Sequence, residues 1–452
     1  MHKLFVLFSS LVISASLIIG CTAPAKLVST SPSTAPVIPV TPTLLAPSSA
    51  PALPSSVLPA STAASPASII PTAAPGEISL PAPVFSGESV EVCLNSRQST
   101  GSLNGTPTTQ QLSNILWAVG KAPLLGPSRK ITVATQAGMV GLETGGTYSY
   151  NLGSHSLAKV SNTLSNQSAL KISWDIGQDG LTFDAGLIYM PSLLAAVSSW
   201  GSSSSLSAWP KKLDILFGSD NSLKLNSTCV AHSSIPQGQT GWLPDPSTTG
   251  TDKIGDVLAN LKYASTFSQT NLTLPQISQL LWAGYGCTPH KDPRGVTTPS
   301  AMDQLYLTGT IYLVNENGVF RYQNRQPSDN FFGNPANKAA YFNTRDHRLE
   351  QLGSADLRAA LKTAVSGLPQ APCYIILGLD DARLGTASDK QYASLETGFV
   401  ASNYLLQASA LGLGCNFKAQ LTSAEQSSLQ SLTGIPAGHK SQVIVSIGAI
   451  AK

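Results

Sequence analysis

TLPQISQLLWAGY, Thr273 to Tyr285, decides the fold because it has been written once already, as TTQQLSNILWAVG, Thr108 to Gly120. Each copy opens on a threonine with a glutamine three residues later, Thr108 with Gln111 and Thr273 with Gln276. At that spacing the two side chains cap the first free amides of a helix reciprocally. Apolar residues then recur at helical spacing, Leu112, Ile115, Leu116 and Val119 in one copy, Ile277, Leu280 and Leu281 in the other. Both end on Leu-Trp-Ala, Leu116 to Ala118 and Leu281 to Ala283. Two related halves are therefore expected in one chain, with the two-fold axis of a symmetric dimer made internal.

Outward from these helices, each half mixes strands and helices without strict alternation, which predicts an α+β fold. In the second half the expected elements are a loop from Gly286 to Pro299, a strand from Gly309 to Asn315, and Val319 to Tyr322 across an Asn317-Gly318 turn. After a polar insertion come a helix from Asp356 to Val365, a strand from Cys373 to Leu377, a helix from Tyr392 to Leu411 and a last strand from Gln442 to Ile447. The first half offers a strand at Val140 to Leu142, another at Thr147 to Tyr150, then Leu170 to Trp174, a helix from Ala185 to Ser199 and a strand from Leu213 to Phe217. A boundary is expected between Val230 and Thr251, where Pro, Gly, Ser and Thr cluster.

Before the halves, His2 and Lys3 precede the apolar run Leu4 to Ile19, closed by Gly20 and Cys21. This layout predicts an export signal over 1–20, with Cys21 lipidated and holding the protein on a membrane from the extracytoplasmic side. From Thr22 to Pro83 the chain is a Ser/Thr/Pro/Ala tract, and no charged residue occurs between Lys26 and Glu77. Such a tract buries too little apolar surface to offset its entropy and is expected to be a tether. At roughly 3.1 Å per residue where extended, it reaches on the order of 100 Å. The folded halves are then expected over 84–235 and 250–452.

A net charge of +3 with 11% charged residues leaves no basic stripe, which argues against nucleic acid as a partner. Cys93, Cys229, Cys287, Cys373 and Cys415 form no Cys-x-x-Cys pair, so structural zinc is disfavoured. The first disulfide to expect joins Cys93 to Cys229, which bracket the first half. No Gly-x-Ser-x-Gly elbow or phosphate loop is present. His232, His290, His347 and His439 stand alone in polar contexts and read as solvated loop histidines, so no catalytic side chain is assigned.

The helix around Leu395 to Leu411 carries Glu396, Gly398, Asn403 and Gln407, is apolar on nearly every side, and runs into Leu411-Gly412-Leu413-Gly414. A Gly-x-Gly there either stops a core helix or lets main chain approach a flat ligand. With the Leu-Leu-Trp-Ala helix and Pro299-Ser300-Ala301 ahead of a strand, this order resembles the flavin-dependent nitroreductase family, and within it the peptide-azoline dehydrogenases. The resemblance spans Asn260 to Gly448 and, more faintly, Asn95 to Gly218. It implies two α+β sandwich halves forming an intramolecular pseudo-dimer with FMN at the seam, and hydride transfer carried by the cofactor.

The same resemblance places a phosphate-holding turn at Arg97 and Ser99 in one half and at Lys262 and Ser265 in the other. It also implies a ring-packing loop at Pro299, Ser300 and Ala301, an acidic partner at Glu396, and backbone beside the ring at Gly412, Leu413 and Gly414. Met302 stands where the family has glycine, and the first half lacks the Gly-x-Gly, reading Asp184, Gly186, Pro191 and Trp200-Gly201. The survivors are expected to split, Arg97 with the Ser300 loop at one interface and Lys262, Glu396, Gly412, Gly414 and Lys452 at the other, leaving at most one flavin site. Outside the cytoplasm the electron partner is expected to be a quinone or a membrane flavoprotein. A flavin-less binding or scaffold lipoprotein is the alternative reading.

Overall fold

The computed structural model describes residues 73–85, 87–97, 103–124, 130–166, 168–175, 182–200, 203–207, 212–218, 241–289, 295–300, 304–324 and 347–451. The export signal, Cys21, Ser99, Ala301, Met302, Lys452, most of the tether and the first half of the expected boundary, 230–240, lie outside them.

In the first half β1 (Ile78–Ser79) leads to α1 (Val90–Ser96) and α2 (Thr109–Val119). A meander follows, β2 (Lys130–Thr135), β3 (Thr147–Asn151) and β4 (Ser156–Ser161). Then come β5 (Leu170–Asp175), the long helix α3 (Thr182–Trp200), β6 (Ser203–Ser207) and β7 (Lys212–Gly218). The second half repeats the plan with α4 (Ile254–Ala259), α5 (Leu274–Tyr285) and a meander of β8 (Ile311–Asn315), β9 (Gly318–Gln323) and β10 (Arg348–Gly353). It continues through α6 (Arg358–Ala364), β11 (Cys373–Asp380), the long helix α7 (Ala387–Ala410), β12 (Gly414–Ala419), α8 (Ser423–Thr433) and β13 (His439–Gly448).

The sheets run β1-β4-β3-β2-β5-β7-β6 and β10-β9-β8-β11-β13-β12. Element for element the six shared strands stand in the same order, and the neighbours are antiparallel. The duplication legible in α2 and α5 therefore extends through both sheets. Both helices carry the expected reciprocal cap, Thr108 with Gln111 and Thr273 with Gln276.

The halves meet across a local two-fold. Ser89 and Lys253 form an antiparallel bridge, with Val90 N donating to Asp252 O at 3.4 Å and Ile254 N donating to Glu88 O at 3.0 Å. Deeper in, α3 crosses α7 at two glycines. A Cβ on Gly186 would stand 2.4 Å from Leu395 O and 2.6 Å from Gly398 Cα, and one on Gly398 would stand 2.2 Å from Phe183 O. Main chain touches main chain there, so neither position has room for a side chain. Tyr189 and Phe399 then pack at 4.7 Å between centroids. Both helices are buried along most of their length, as their all-round apolar sequence requires.

The outer faces of the sheets differ for a reason visible in their strands. β5 alternates, with Leu170, Ile172 and Trp174 in the core. On its other face Ser173 donates to Asp214 at 2.6 Å and Lys171 pairs with Asp214 at 3.7 Å. β11 is apolar on both faces, placing Ile375 and Leu377 in the main core and Tyr374 and Ile376 in a second cluster with Leu361 of α6 and Leu429 of α8. Burying such a side chain contributes about 1.5–3 kcal/mol, which is what the two extra helices of the second half supply.

Several expectations need correction. Val140 to Leu142 is the tip of a loop, closed by a Met139–Leu142 bridge, and the strand of that region is β2. The hairpin turn is Glu316-Asn317, with Gly318 already the first residue of β9 at φ +125°. β1, β2, β4, β6, β10, β12, α1, α4 and α8 went unforeseen, and α7 starts earlier, at a Thr386–Asp389 cap. Cys93 is a free, buried thiol pushed up to about 12 by burial, so the Cys93–Cys229 pairing does not form. Cys287 is disulfide-bonded.

Candidate functional site

Each half contains a buried serine–histidine–tyrosine chain that sequence reasoning missed. In the first, Tyr150 OH lies 2.7 Å from His155 Nδ1, His155 Nε2 lies 2.7 Å from Ser113 Oγ, and Ser113 donates to Pro81 O at 2.6 Å. In the second, Tyr322, His347, Ser278 and Pro244 repeat it at 2.8, 2.7 and 2.5 Å. Because each serine donates to a proline carbonyl, the neutral imidazole donates from Nε2 and accepts from tyrosine at Nδ1, which satisfies every member. Burial lowers the His155 pKa. His347 is thus a core histidine, not a solvated one. The repeated sequence signal was the serine of the two copied helices, Ser113 and Ser278; the tyrosine and histidine are 5 residues apart in the first half and 25 in the second, so their pairing was not repeated in spacing.

Arg97 reaches across the seam. It is 3% exposed, and its Nε and Nη2 donate to Thr297 O at 3.1 Å and Val296 O at 2.6 Å. Burial lowers its pKa to about 10. The loop beyond those carbonyls carries Pro299 and Ser300, so Arg97 and the Ser300 loop do share one interface.

Glu396 belongs to that same cluster, which corrects its assignment to the Lys262 side. Fully buried on α7, it accepts from Tyr285 OH and Ser300 Oγ at 2.5 Å each and from Leu307 N at 3.3 Å. Burial raises its pKa against those three donors. Arg97 directs Nε and Nη2 to main chain and Ser300 donates to Glu396, a commitment that fits an FMN phosphate poorly. They tie one half to the loop of the other.

The Lys262 side is different. Gly412, at φ +76°, ends α7, with Leu413 N donating to Ala408 O at 2.8 Å and Gly412 N to Ser409 O at 3.1 Å. This two-bond closure needs a left-handed residue. Gly414 permits close packing, since a Cβ there would stand 2.7 Å from Ile450 and 3.0 Å from Ala264. Lys262 Nζ lies 3.8 Å from where a Cβ on Gly412 would be, a cation at the negative end of α7. It is half-buried, while Tyr263 beside it and Ser265 beyond are exposed.

From Lys262 a row of rings leads inward, Tyr263 to Phe417 at 5.6 Å and Phe417 to Phe183 of the first half at 6.1 Å. Phe183 lines a seam cavity of about 260 Å³ with Thr182 of the first half and Thr397, Gln420 and Gln426 of the second. The lining is uncharged, and Gln420 holds φ +57°, a conformation a residue with a side chain rarely adopts. Tyr263, Phe417 and Phe183 thus link the segment that carries Lys262 to an uncharged cavity at the seam, whereas Arg97 is engaged by main chain. Among the described residues no group of His, Cys, Asp and Glu could hold a metal ion, and no helix is long and apolar enough to cross a membrane.

Residues 265–449 match the family model described as the nitroreductase family. Among solved structures, a candidate nitroreductase from Anabaena variabilis ATCC 29413 covers 82% of this chain and 94% of its own at 14% identity and TM-score 0.51, a likeness of fold. A candidate nitroreductase from Ralstonia eutropha JMP134 covers 51% of this chain and 99% of its own at 21% identity and TM-score 0.37. An FMN-dependent nitroreductase from Clostridium difficile R20291 covers 43% and 87% at 13% identity and TM-score 0.29. None of the curated proteins matches the sequence.

Proposed function

We propose that the protein, whose residues 265–449 match the nitroreductase family model, is a membrane-tethered, extracytoplasmic FMN oxidoreductase with a single flavin position, on the Lys262 side of the seam. The observation that carries this reading is the alignment of Lys262, the Tyr263–Phe417–Phe183 rings and the seam cavity. FMN, when bound, supplies hydride chemistry without a strong protein acid or base. Lys262 would hold the phosphate by a charge-assisted hydrogen bond, and Phe183, Thr397 and Gln420 would bound the ring and limit water. Cys21 would carry the lipid, and the tract from Thr22 up to β1 would be the tether, the folded part starting earlier than the expected residue 84 because Ile78–Ser79 pair with β4 and Leu80 is buried in the core. The electron partner would be a quinone or membrane flavoprotein.

Purified full-length protein tests this through its visible spectrum. A yellow protein with one FMN per chain, and an at least tenfold weaker flavin affinity after Lys262→Ala, is the expected result. Two flavins per chain, or none on titration, would sink it. A second reading, a flavin-less binding lipoprotein, is favoured by one observation, the commitment of Arg97 to the carbonyls of Val296 and Thr297. The colourless outcome selects it.

A further inference from the structure

The two halves differ at one corner in a way that lets each act as the other's comparison. In the first half β2 and β3 are joined by a loop over 136–146, whose tip folds back onto the N-terminus of α2. Met139 and Leu142 exchange both backbone hydrogen bonds at 2.8 and 2.9 Å, and Thr109 Oγ1 donates to Val140 O. Gly141 takes the positive φ of the turn, Val140 points out at 87% exposure, and Met139 and Leu142 are buried in the core.

In the second half the equivalent hairpin turns in two residues, Glu316 and Asn317, too short to fold back onto the N-terminus of α5 as 136–146 does onto α2. A cavity of about 540 Å³ remains between the hairpin tip and the start of the helix. Its floor is Trp242, Leu272, Ile277, Phe320 and Leu349, with Leu274 at the mouth, 49% exposed. Leu274 opens α5 as Thr109 opens α2, so the hydroxyl that anchors the Val140 carbonyl is replaced by an apolar side chain.

We propose that this cavity is a receptor for a β-turn of another protein that presents two apolar side chains three residues apart, the shape that Met139 and Leu142 supply internally in the first half. The argument for a peptide turn over a small molecule is that internal occupant. Loss of the Thr109 hydroxyl removes that anchor for the turn backbone, and although Glu316, Arg348 and Glu350 also line the cavity, its apolar residues discriminate on the two buried turn positions.

The test is fluorescence anisotropy of a labelled, backbone-cyclised peptide of residues 136–146 titrated with the full chain. Saturable binding is expected, weakened at least tenfold by Leu274→Arg or, independently, by Asn317→Trp at the hairpin tip, both at surface positions and checked for unchanged Tm. The peptide carrying Met139→Ser and Leu142→Ser should not bind. Absence of saturable binding at millimolar concentration, binding that survives both cavity variants, or displacement-insensitive occupancy by an apolar dye with no peptide binding would each overturn the proposal. The flavin test above is independent of this outcome.

Discussion

Ser113, His155 and Tyr150 form a closed donor chain in which each atom has one role, and that chain has no place for a second proton on the ring. Burial holds the His155 pKa below its ordinary value. The sign follows: a neutral buried histidine stabilises the fold above the unfolded value near 6.5, and the contribution is lost as pH falls below it. Denaturant unfolding should therefore show stability falling from pH 7 to pH 5. His155→Phe should cost about 1–3 kcal/mol at pH 7, because Ser113 and Tyr150 lose a buried partner, and should flatten the acid limb. An acid limb unchanged in the variant would show that other groups set it.

Residue identity was also where sequence reading fell short. His347 stands in a polar stretch, Asp346-His347-Arg348, which gives no hint of a partner, because Ser278 and Tyr322 are brought to it by α5 and β9. Arg97 was recognised as functional by resemblance, but whether a guanidinium faces a phosphate or two carbonyls depends on a loop some two hundred residues away in the chain. The sequence reads Gly412 as a helix stop or a ligand approach, and the hydrogen bonds of Leu413 and Gly412 show the stop.

Elements were legible in proportion to how local their causes are. The caps and apolar stripes of α2 and α5 are written in consecutive residues, and both helices begin at the expected threonines. Removing either cap hydroxyl, Thr108→Ala or Thr273→Ala, should cost about 1 kcal/mol. Thermal unfolding should show a similar loss for each, and a loss in only one would break their equivalence. By contrast β6 is Ser203 to Ser207, a segment of low strand propensity that pairs only because β7 lies beside it. α8 carried a readable signal, Thr422 with Glu425, that went unread.

At the α3–α7 crossing the glycines predict a sharper effect. Gly186→Ala and Gly398→Ala each drive a methyl into backbone at 2.2–2.6 Å, which overpacking places at about 1–3 kcal/mol or more. A Tm unchanged in both variants would mean the helices do not cross there.

For the whole molecule, the repeated strand order makes each half the internal partner of the other, with the Lys262 side and the Arg97 side as the two faces of one seam. The two sides differ because the halves are no longer bound to be identical once they are fused in one chain. Arg97, Glu91 and Gln407 then serve adhesion between halves, Gln407 donating to Glu91 at 2.7 Å across the seam.

The local two-fold at Ser89 and Lys253 gives the most direct measurement of that arrangement. As a non-hydrogen-bonded antiparallel pair their Cα atoms are expected about 4.5 Å apart, within disulfide range. In the full chain carrying Ser89→Cys and Lys253→Cys, mild oxidation followed by non-reducing peptide mass spectrometry should find the two new cysteines joined to each other in nearly every molecule. Two thiols that stay free and alkylatable would contradict the internal pairing of the halves.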